Sequence, residues 1–225
     1  MRAQEFTESD ITEIERLPSR GRSAYTGTRD LELPRRGVKR HALGAELSYA
    51  VDATGAYPNI FIIAQTPEGA RTVGFLELRT NARQMPEQTY QVETINVWPE
   101  YRGRGLAKIM YWLALQHLGP LLAGITQTIA SRRVWASLSQ KPGIRVSAYV
   151  YMGNNARNQT MKNRIRQSPG CAHWGTTGNL DWWLIPVQPG ARGELVSTIP
   201  GLNIYTGFEA NDHGRMDVGL IMHAA

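Results

Sequence analysis

Hydrophobic and polar positions change period several times along this chain, and each change marks an element. From Tyr90 to Val97 the side chains alternate and β-branched residues accumulate, as in a strand. Pro99 ends it, because proline offers no ladder N–H. Downstream, Leu106, Ile109, Met110, Leu113 and Leu118 recur at helical spacing, with Gly119 and Pro120 as stop signals. Residues 59–65 and 72–79 read as two strands joined by a turn at Pro67, Glu68 and Gly69. With Tyr90–Val97 they form an antiparallel meander. Near the start, Ile11, Ile14 and Leu17 share one face behind a cap at Thr7 or Ser9, so residues 7–17 read as a short amphipathic helix that Pro18 ends. Residues 19–44 are rich in glycine, proline and arginine and have little periodicity, which predicts a long loop or arm.

The back half admits two registers. In the first, residues 121–127 are the next strand and a helix follows over 131–139, with Val134, Trp135 and Leu138 inward. Residues 144–151 and 181–187 then read as strands. In the second, 144–151 is the fifth strand, 155–166 is the helix after it, and 121–141 is a helical insertion. The first register is preferred. Beyond Pro189 the short apolar patches 202–205 and 218–222 read as an extension packed on the core. The expected division is therefore an N-terminal helix and basic arm over 1–44, a core over 45–188 and a C-terminal extension over 189–225.

Composition narrows the setting. The chain has 225 residues, net charge +6 and one cysteine, Cys171. A lone cysteine allows no intrachain disulfide and fits a reducing, cytoplasmic compartment. No apolar run approaches the roughly 18–20 residues that span a bilayer, so no membrane role is expected. Residues 1–20 alternate acids and bases and lack the apolar centre of a signal peptide. The positive excess concentrates at Arg20, Arg22, Arg29, Arg35, Arg36, Lys39 and Arg40, and again at Arg157, Lys162, Arg164 and Arg166. Such clusters suit nucleic acid, an acidic protein or a polyanionic cofactor, or are simply solvated. No zinc-finger spacing or interleaved basic and aromatic pattern supports specific nucleic-acid recognition.

The most informative stretch runs from Val97 to Ala107 and joins the strand to the helix through Arg102, Gly103, Arg104 and Gly105. Free N–H groups at a helix N-terminus favour an anion, glycines allow close approach, and arginines add charge-assisted donors. The pattern VxPxxRGxGLA is neither the GxxxxGK[ST] phosphate loop nor GxGxxG. It resembles the signature of the GNAT superfamily of acyl-CoA N-acyltransferases, whose [Q/R]xxGx[G/A] core falls on Arg102, Gly105 and Ala107. The resemblance implies an α+β fold, with a mostly antiparallel twisted sheet flanked by helices. It also implies acetyl-CoA or another acyl-CoA as the acyl donor. The order of helix, hairpin, strand, glycine loop and helix matches the front half of that fold.

By the same resemblance, Ile95, Asn96 and Val97 should present backbone groups to the acyl carbonyl and pantetheine arm, while Arg102, Gly103, Arg104, Gly105, Leu106 and Ala107 hold the diphosphate. Transfer to a small-molecule or protein amine also needs a base, since a lysine-like amine has a pKa near about 10.4. Glu93 is the candidate, acting directly or through water. Strict alternation puts it with Gln91, Ile95 and Val97, a partly apolar face that would suit a proton acceptor. A salt-bridged glutamate on a solvated face is the competing reading, and Glu77 is the second choice.

Many relatives place a tyrosine near the sulfur in NxxAxxLYxxxGF. Aligned on that motif, this chain has Ser139 at the tyrosine, and Arg132 and Trp135 at the asparagine and alanine. A donor would then be Ser139 through water, or a tyrosine such as Tyr149 or Tyr151, or absent. This departure supports an alternative: a catalytically weak or inactive GNAT-fold binding or structural protein, part of a larger assembly. The VWxxL helix is similar to GNAT-like proteins of bacteriophage genomes. Cys171 with His173 lacks a second ligand pair at suitable spacing, as His213 and His223 are distant, so no metal is expected. Trp174, Trp182 and Trp183 read as sheet-packing residues. Exposed late strands offer edges for a homodimer.

Overall fold

The computed structural model describes residues 40–43, 46–80, 85–124, 127–153, 158–205, 209–211 and 214–225. The expected helix at 7–17, nearly all of the arm at 19–44, Arg157 and His213 lie outside the described residues. The chain is α+β and divides into two compact units, one of residues 1–80 with 90–119, the other of 81–89 with 120–225.

In the first unit, β1 (Arg40–Ala42), β2 (Leu47–Asp52), β3 (Asn59–Thr66), β4 (Gly69–Thr80) and β5 (Tyr90–Val97) pair antiparallel in chain order. The expected hairpin is there. Thr66 and Gly69 pair across its turn, and the Thr66 hydroxyl donates to the Gly69 carbonyl at 2.9 Å. Ile60, Ile62, Leu76 and Leu78 alternate onto one face and are fully buried. Helix α1 (Leu106–His117) covers that face with Leu106, Ile109, Met110 and Leu113. A Cβ at Gly74 would come within 3.3 Å of both Ile62 and the Met110 methyl, so the helix lies close to the sheet there. On the opposite face Ala50, Phe61 and Ile63 cluster with Ala70 and Phe75.

The meander has two irregularities. Val73 is an extra residue in β4 between the Ile62/Gly74 and Ile63/Thr72 pairs, and its carbonyl accepts from the Trp98 N–H at 2.9 Å. Glu93 is an extra residue in β5, because Thr94 pairs Glu77 and Val92 pairs Leu78. Such bulges bend a strand and shift the parity of its side chains.

The second unit contains β6 (Leu121–Leu122), β7 (Ile144–Gly153), β8 (Ala172–Thr177), β9 (Leu180–Pro189), β10 (Leu195–Ser197), β11 (Glu209–Asn211) and β12 (Gly214–Ala224). Its sheet runs β6-β12-β7-β9-β10, with β8 also on β9 and β11 on β12. Two helices accompany it, α2 (Ile129–Leu138) and α3 (Gln159–Gln167). Thr128 caps α2 by accepting from the Ser131 N–H at 3.1 Å, and Trp135 and Leu138 are its buried residues.

Three sequence expectations change here. The strand expected over 121–127 is reduced to Leu121–Leu122. The helices of both registers are present, so neither excludes the other. The patch 218–222, expected as an extension packed on the core, is instead part of the sheet: it belongs to β12, which lies between β6 and β7 and pairs with β7 from Met216↔Met152 to Ala224↔Ile144. Long-range pairing, which local periodicity does not encode, makes it central.

Candidate functional site

The loop after β5 is built by local hydrogen bonds. A 3-10 turn, Pro99–Tyr101, follows Trp98, whose carbonyl accepts from the Tyr101 N–H at 2.9 Å. The Arg102 Nε donates back to the Val97 carbonyl at 2.8 Å, tying the loop to the strand end. Gly103 and Gly105 have φ of +79° and +80°. A side chain in this left-handed region costs about 1–2 kcal/mol per residue, so glycine is required twice within three residues. Gly105 is the N-cap of α1, and its carbonyl accepts from Lys108 at 2.9 Å and Ile109 at 3.2 Å.

That geometry leaves donors unused. Among the described residues nothing accepts a hydrogen bond from the N–H groups of Gly103 through Ala107. The Arg104 Nε is buried without a partner among the described residues, and its guanidinium lies 5.2 Å from the Tyr101 ring centre. No acid occupies the first turn of α1, so the helix dipole is not neutralised there. Nearby, the Arg71 guanidinium stacks 3.7 Å from the Trp98 ring centre. Unaccepted N–H groups, a helix N-terminus and an orphaned buried Nε suit a dianionic oxygen cluster, so these residues fit a diphosphate.

The bulge corrects the expected environment of Glu93. Strict alternation placed it with Ile95 and Val97. Instead Gln91 and Val92 are both buried and Glu93 and Thr94 both exposed, because the extra residue breaks the period. Ile95 pairs Leu76 and Val97 pairs Gly74 on the helix-covered face; Glu93 is on the other, with Glu77, Arg79, Gln91 and Thr94. There Arg79 holds it: Arg79 Nε lies 2.9 Å from Glu93 Oε1, and Arg79 Nη2 donates to Gln91 Oε1 at 3.1 Å. The partly apolar surroundings expected of this acid are therefore not present; it is an ion-paired carboxylate on a strand bulge.

The other candidates lie in the second unit. Ser139 is the C-cap of α2, and its hydroxyl donates to the Ala136 carbonyl at 2.7 Å. Tyr149 is packed in the apolar cluster with Leu122, Trp182 and Ile221. Its ring lies over Gly219, where a Cβ would fall 2.7 Å from the phenol. Tyr151 packs against Trp182 with the rings tilted by 39° and 4.5 Å between centres. Trp182 and Trp183 are buried sheet residues, and Trp174 donates to Glu87 Oε1 at 3.0 Å.

The second basic cluster is largely committed to the fold. Lys162 is buried against Asp181, Arg164 donates to the Pro200 carbonyl at 2.7 Å, and Arg166 lies 5.7 Å from the Trp183 ring centre. Burial pushes the Cys171 thiol up, which disfavours a thiolate nucleophile. His173 lies 3.9 Å from Asp181. Among the described residues no group of three His, Cys, Asp or Glu side chains is placed to hold a metal, and no helix is long and apolar enough to cross a membrane.

Sequence reasoning named Glu77 as the second-choice base and Asn96 for its backbone, but missed Asn59 and Thr94 and the row these residues form beside Glu93. Asn59 pairs Glu77, Glu77 pairs Thr94, and Asn96 pairs Phe75, so all four polar side chains share the face of Arg79. The signal was present only as polar residues at alternate strand positions, which also describes a solvated face.

Residues 30–134 match the model of the acetyltransferase (GNAT) family. No curated protein matches the chain significantly. Among solved structures, it is similar to the diaminobutyrate acetyltransferase EctA from Paenibacillus lautus in complex with L-2,4-diaminobutyric acid and coenzyme A. That match has 19% identity, covers 56% of this chain and 68% of the other, and has a TM-score of 0.32. It is also similar to KacTA in a DNA complex, at 10% identity over 58% of this chain and 69% of the other, with a TM-score of 0.26.

Proposed function

We propose, on the match of residues 30–134 to the acetyltransferase (GNAT) family, that the chain is an acyl-CoA-dependent N-acyltransferase of that family. In this reading it moves an acetyl group to a primary amine by direct attack. The observation that carries it is the run of N–H groups from Gly103 to Ala107, unaccepted among the described residues as is the Arg104 Nε. Those groups bind the diphosphate, and the Arg102–Val97 bond fixes the loop relative to β5. Bound acyl-CoA supplies the thioester carbon that the amine attacks.

Ile95, Asn96 and Val97 lie at the end of β5 that leads into the loop, and their backbone orients the pantetheine arm and the acyl carbonyl. Main-chain donors aimed at that oxygen stabilise developing charge whatever the side chains are. Glu93, displaced from the ladder by the bulge, takes the amine proton directly or through one water, and Arg79 fixes its rotamer. As the C–N bond forms the C–S bond breaks, and the thiolate takes a proton from solvent. A thiol with a pKa of about 8.5 leaves without a dedicated acid near neutral pH, so the reaction does not require Ser139 or Tyr149.

One observation favours a second reading, a GNAT-fold binding protein with little catalysis. Ser139 stands where many relatives have tyrosine, and its proton is committed to Ala136. A thiol-release assay with acetyl-CoA against polyamines, aminoglycosides, peptides and proteins separates the two. CoA release above hydrolysis with any amine supports the enzyme; acetyl-CoA binding without amine-dependent release supports the binding protein.

A further inference from the structure

The face of β3, β4 and β5 that carries Glu93 is unusual in how its polar groups are left. Asn59 is the first residue of β3, and its Nδ2 donates to the Tyr57 carbonyl at 2.8 Å. That bond fixes the amide orientation, so Oδ1 points the other way; it is buried and accepts nothing among the described residues. Directly across, Glu77 is half-buried, and its carboxylate has no ion pair or hydrogen bond among the described residues. Thr94, across from Glu77 on the other side, also has no side-chain partner among the described residues.

A half-buried carboxylate beside a buried, unsatisfied amide oxygen is costly without a donor. Every orphan in the row is an acceptor or able to accept, and one is a carboxylate. The complementary group is an alkylammonium, with three donors and one positive charge. A phosphate or carboxylate is excluded by the sign.

Geometry relates the row to the reacting centre. Adjacent strands lie about 4.8 Å apart, so Glu77 is one spacing and Asn59 two spacings from β5, where Glu93 sits. Arg79, whose cation would repel an ammonium, is already neutralised by Glu93 and lies two residues further along β4. On the same face Phe61 and Phe75, with ring centres 5.5 Å apart, give the alkyl chain an apolar neighbour.

We infer that the amine acceptor carries a second cationic nitrogen, held by Asn59 Oδ1 and the Glu77 carboxylate while its reacting nitrogen faces Glu93. Short alkyl diamines and polyamines have this form. The inference rests on the acyltransferase reading, and its test is designed to fail separately.

Calorimetry on the full chain without acyl-CoA compares putrescine with butylamine. Putrescine should bind at least tenfold more tightly. Glu77→Gln and Asn59→Leu should each weaken putrescine at least tenfold and remove its advantage over butylamine, while Asn59→Asp should tighten it. Equal wild-type affinities overturn the site. So does unchanged putrescine affinity in Glu77→Gln, a near-isosteric change, with the fold verified by circular dichroism. A parallel thiol-release assay addresses the enzyme: no release with any amine overturns the acyltransferase reading, while the calorimetry still decides the ammonium site.

Discussion

Replacing Asp181 with asparagine should destabilise the second unit more than removing the lysine it pairs with. The Lys162 side chain is 1% exposed and Asp181 17%, with Nζ and Oδ2 2.5 Å apart. Asparagine removes the carboxylate charge that faces the buried ammonium. Breaking a buried pair this way costs about 3–5 kcal/mol, and the lower end applies because the amide oxygen still accepts a hydrogen bond. Lys162→Met removes the buried charge and keeps most of the apolar stem. Asp181 then retains some water and the Thr176 hydroxyl, which donates to it at 3.0 Å, so about 1–2 kcal/mol is expected. Urea unfolding followed by the fluorescence of the neighbouring Trp182 and Trp183 measures both.

The pH dependence has a definite sign. The Lys162 hydrogen bond, helped by Thr176, holds the Asp181 carboxyl below its ordinary value of 3.8. A depressed folded pKa contributes stability that is present above the unfolded value and lost as pH falls through the folded one. Wild type should therefore lose this part of its stability below about pH 4, and Asp181→Asn should not. If Asp181→Asn costs no more than Lys162→Met, or follows the same acid limb as wild type, the buried-charge argument fails.

Three further outcomes follow from the same geometry. Gly219→Ala places a methyl 2.7 Å from the Tyr149 ring, and overpacking of this kind should cost about 1–3 kcal/mol; Tyr149→Leu should recover most of it in a double-mutant cycle. Glu93→Gln should lower kcat by about 10²- to 10⁴-fold and leave acetyl-CoA affinity unchanged by calorimetry, since a base acts on the amine and not on the diphosphate. His117 lies with Tyr49 and His41, its hydroxyl contact at 3.4 Å, and desolvation, then the His41 charge, lowers its pKa from 6.5. Stability it contributes is present above that value and lost as pH falls through the folded one, so His117→Gln should flatten the stability profile below pH 6.5 in thermal unfolding.

Much of the first unit was legible because its signals are local. The alternation of Tyr90–Val97, the proline at 99 and the glycines at 103 and 105 each act on their own backbone, and strand, loop and helix fall where they place them. The bulge at Glu93 was not legible, since an extra residue is defined only against the partner strand. With it went the assignment of Glu93 to the apolar face. The central place of β12 was hidden for a related reason: residues 218–222 are a short apolar patch among glycines, and only pairing with β6 and β7 makes them core. Lys162 looked like one charge in a basic run because burial against Asp181 depends on β9, far along the chain.

The central claim is that the loop from Arg102 to Ala107 holds a coenzyme A diphosphate. Calorimetric titration of acetyl-CoA into wild type and Gly105→Val tests it most directly. Valine at φ +80° adds about 1–2 kcal/mol of backbone strain and puts a branched side chain at the helix N-cap, where the anion must approach. The account predicts saturable binding by wild type and at least a hundredfold weaker binding by the variant, with the circular dichroism spectrum retained. Equal affinity in the two proteins would contradict it.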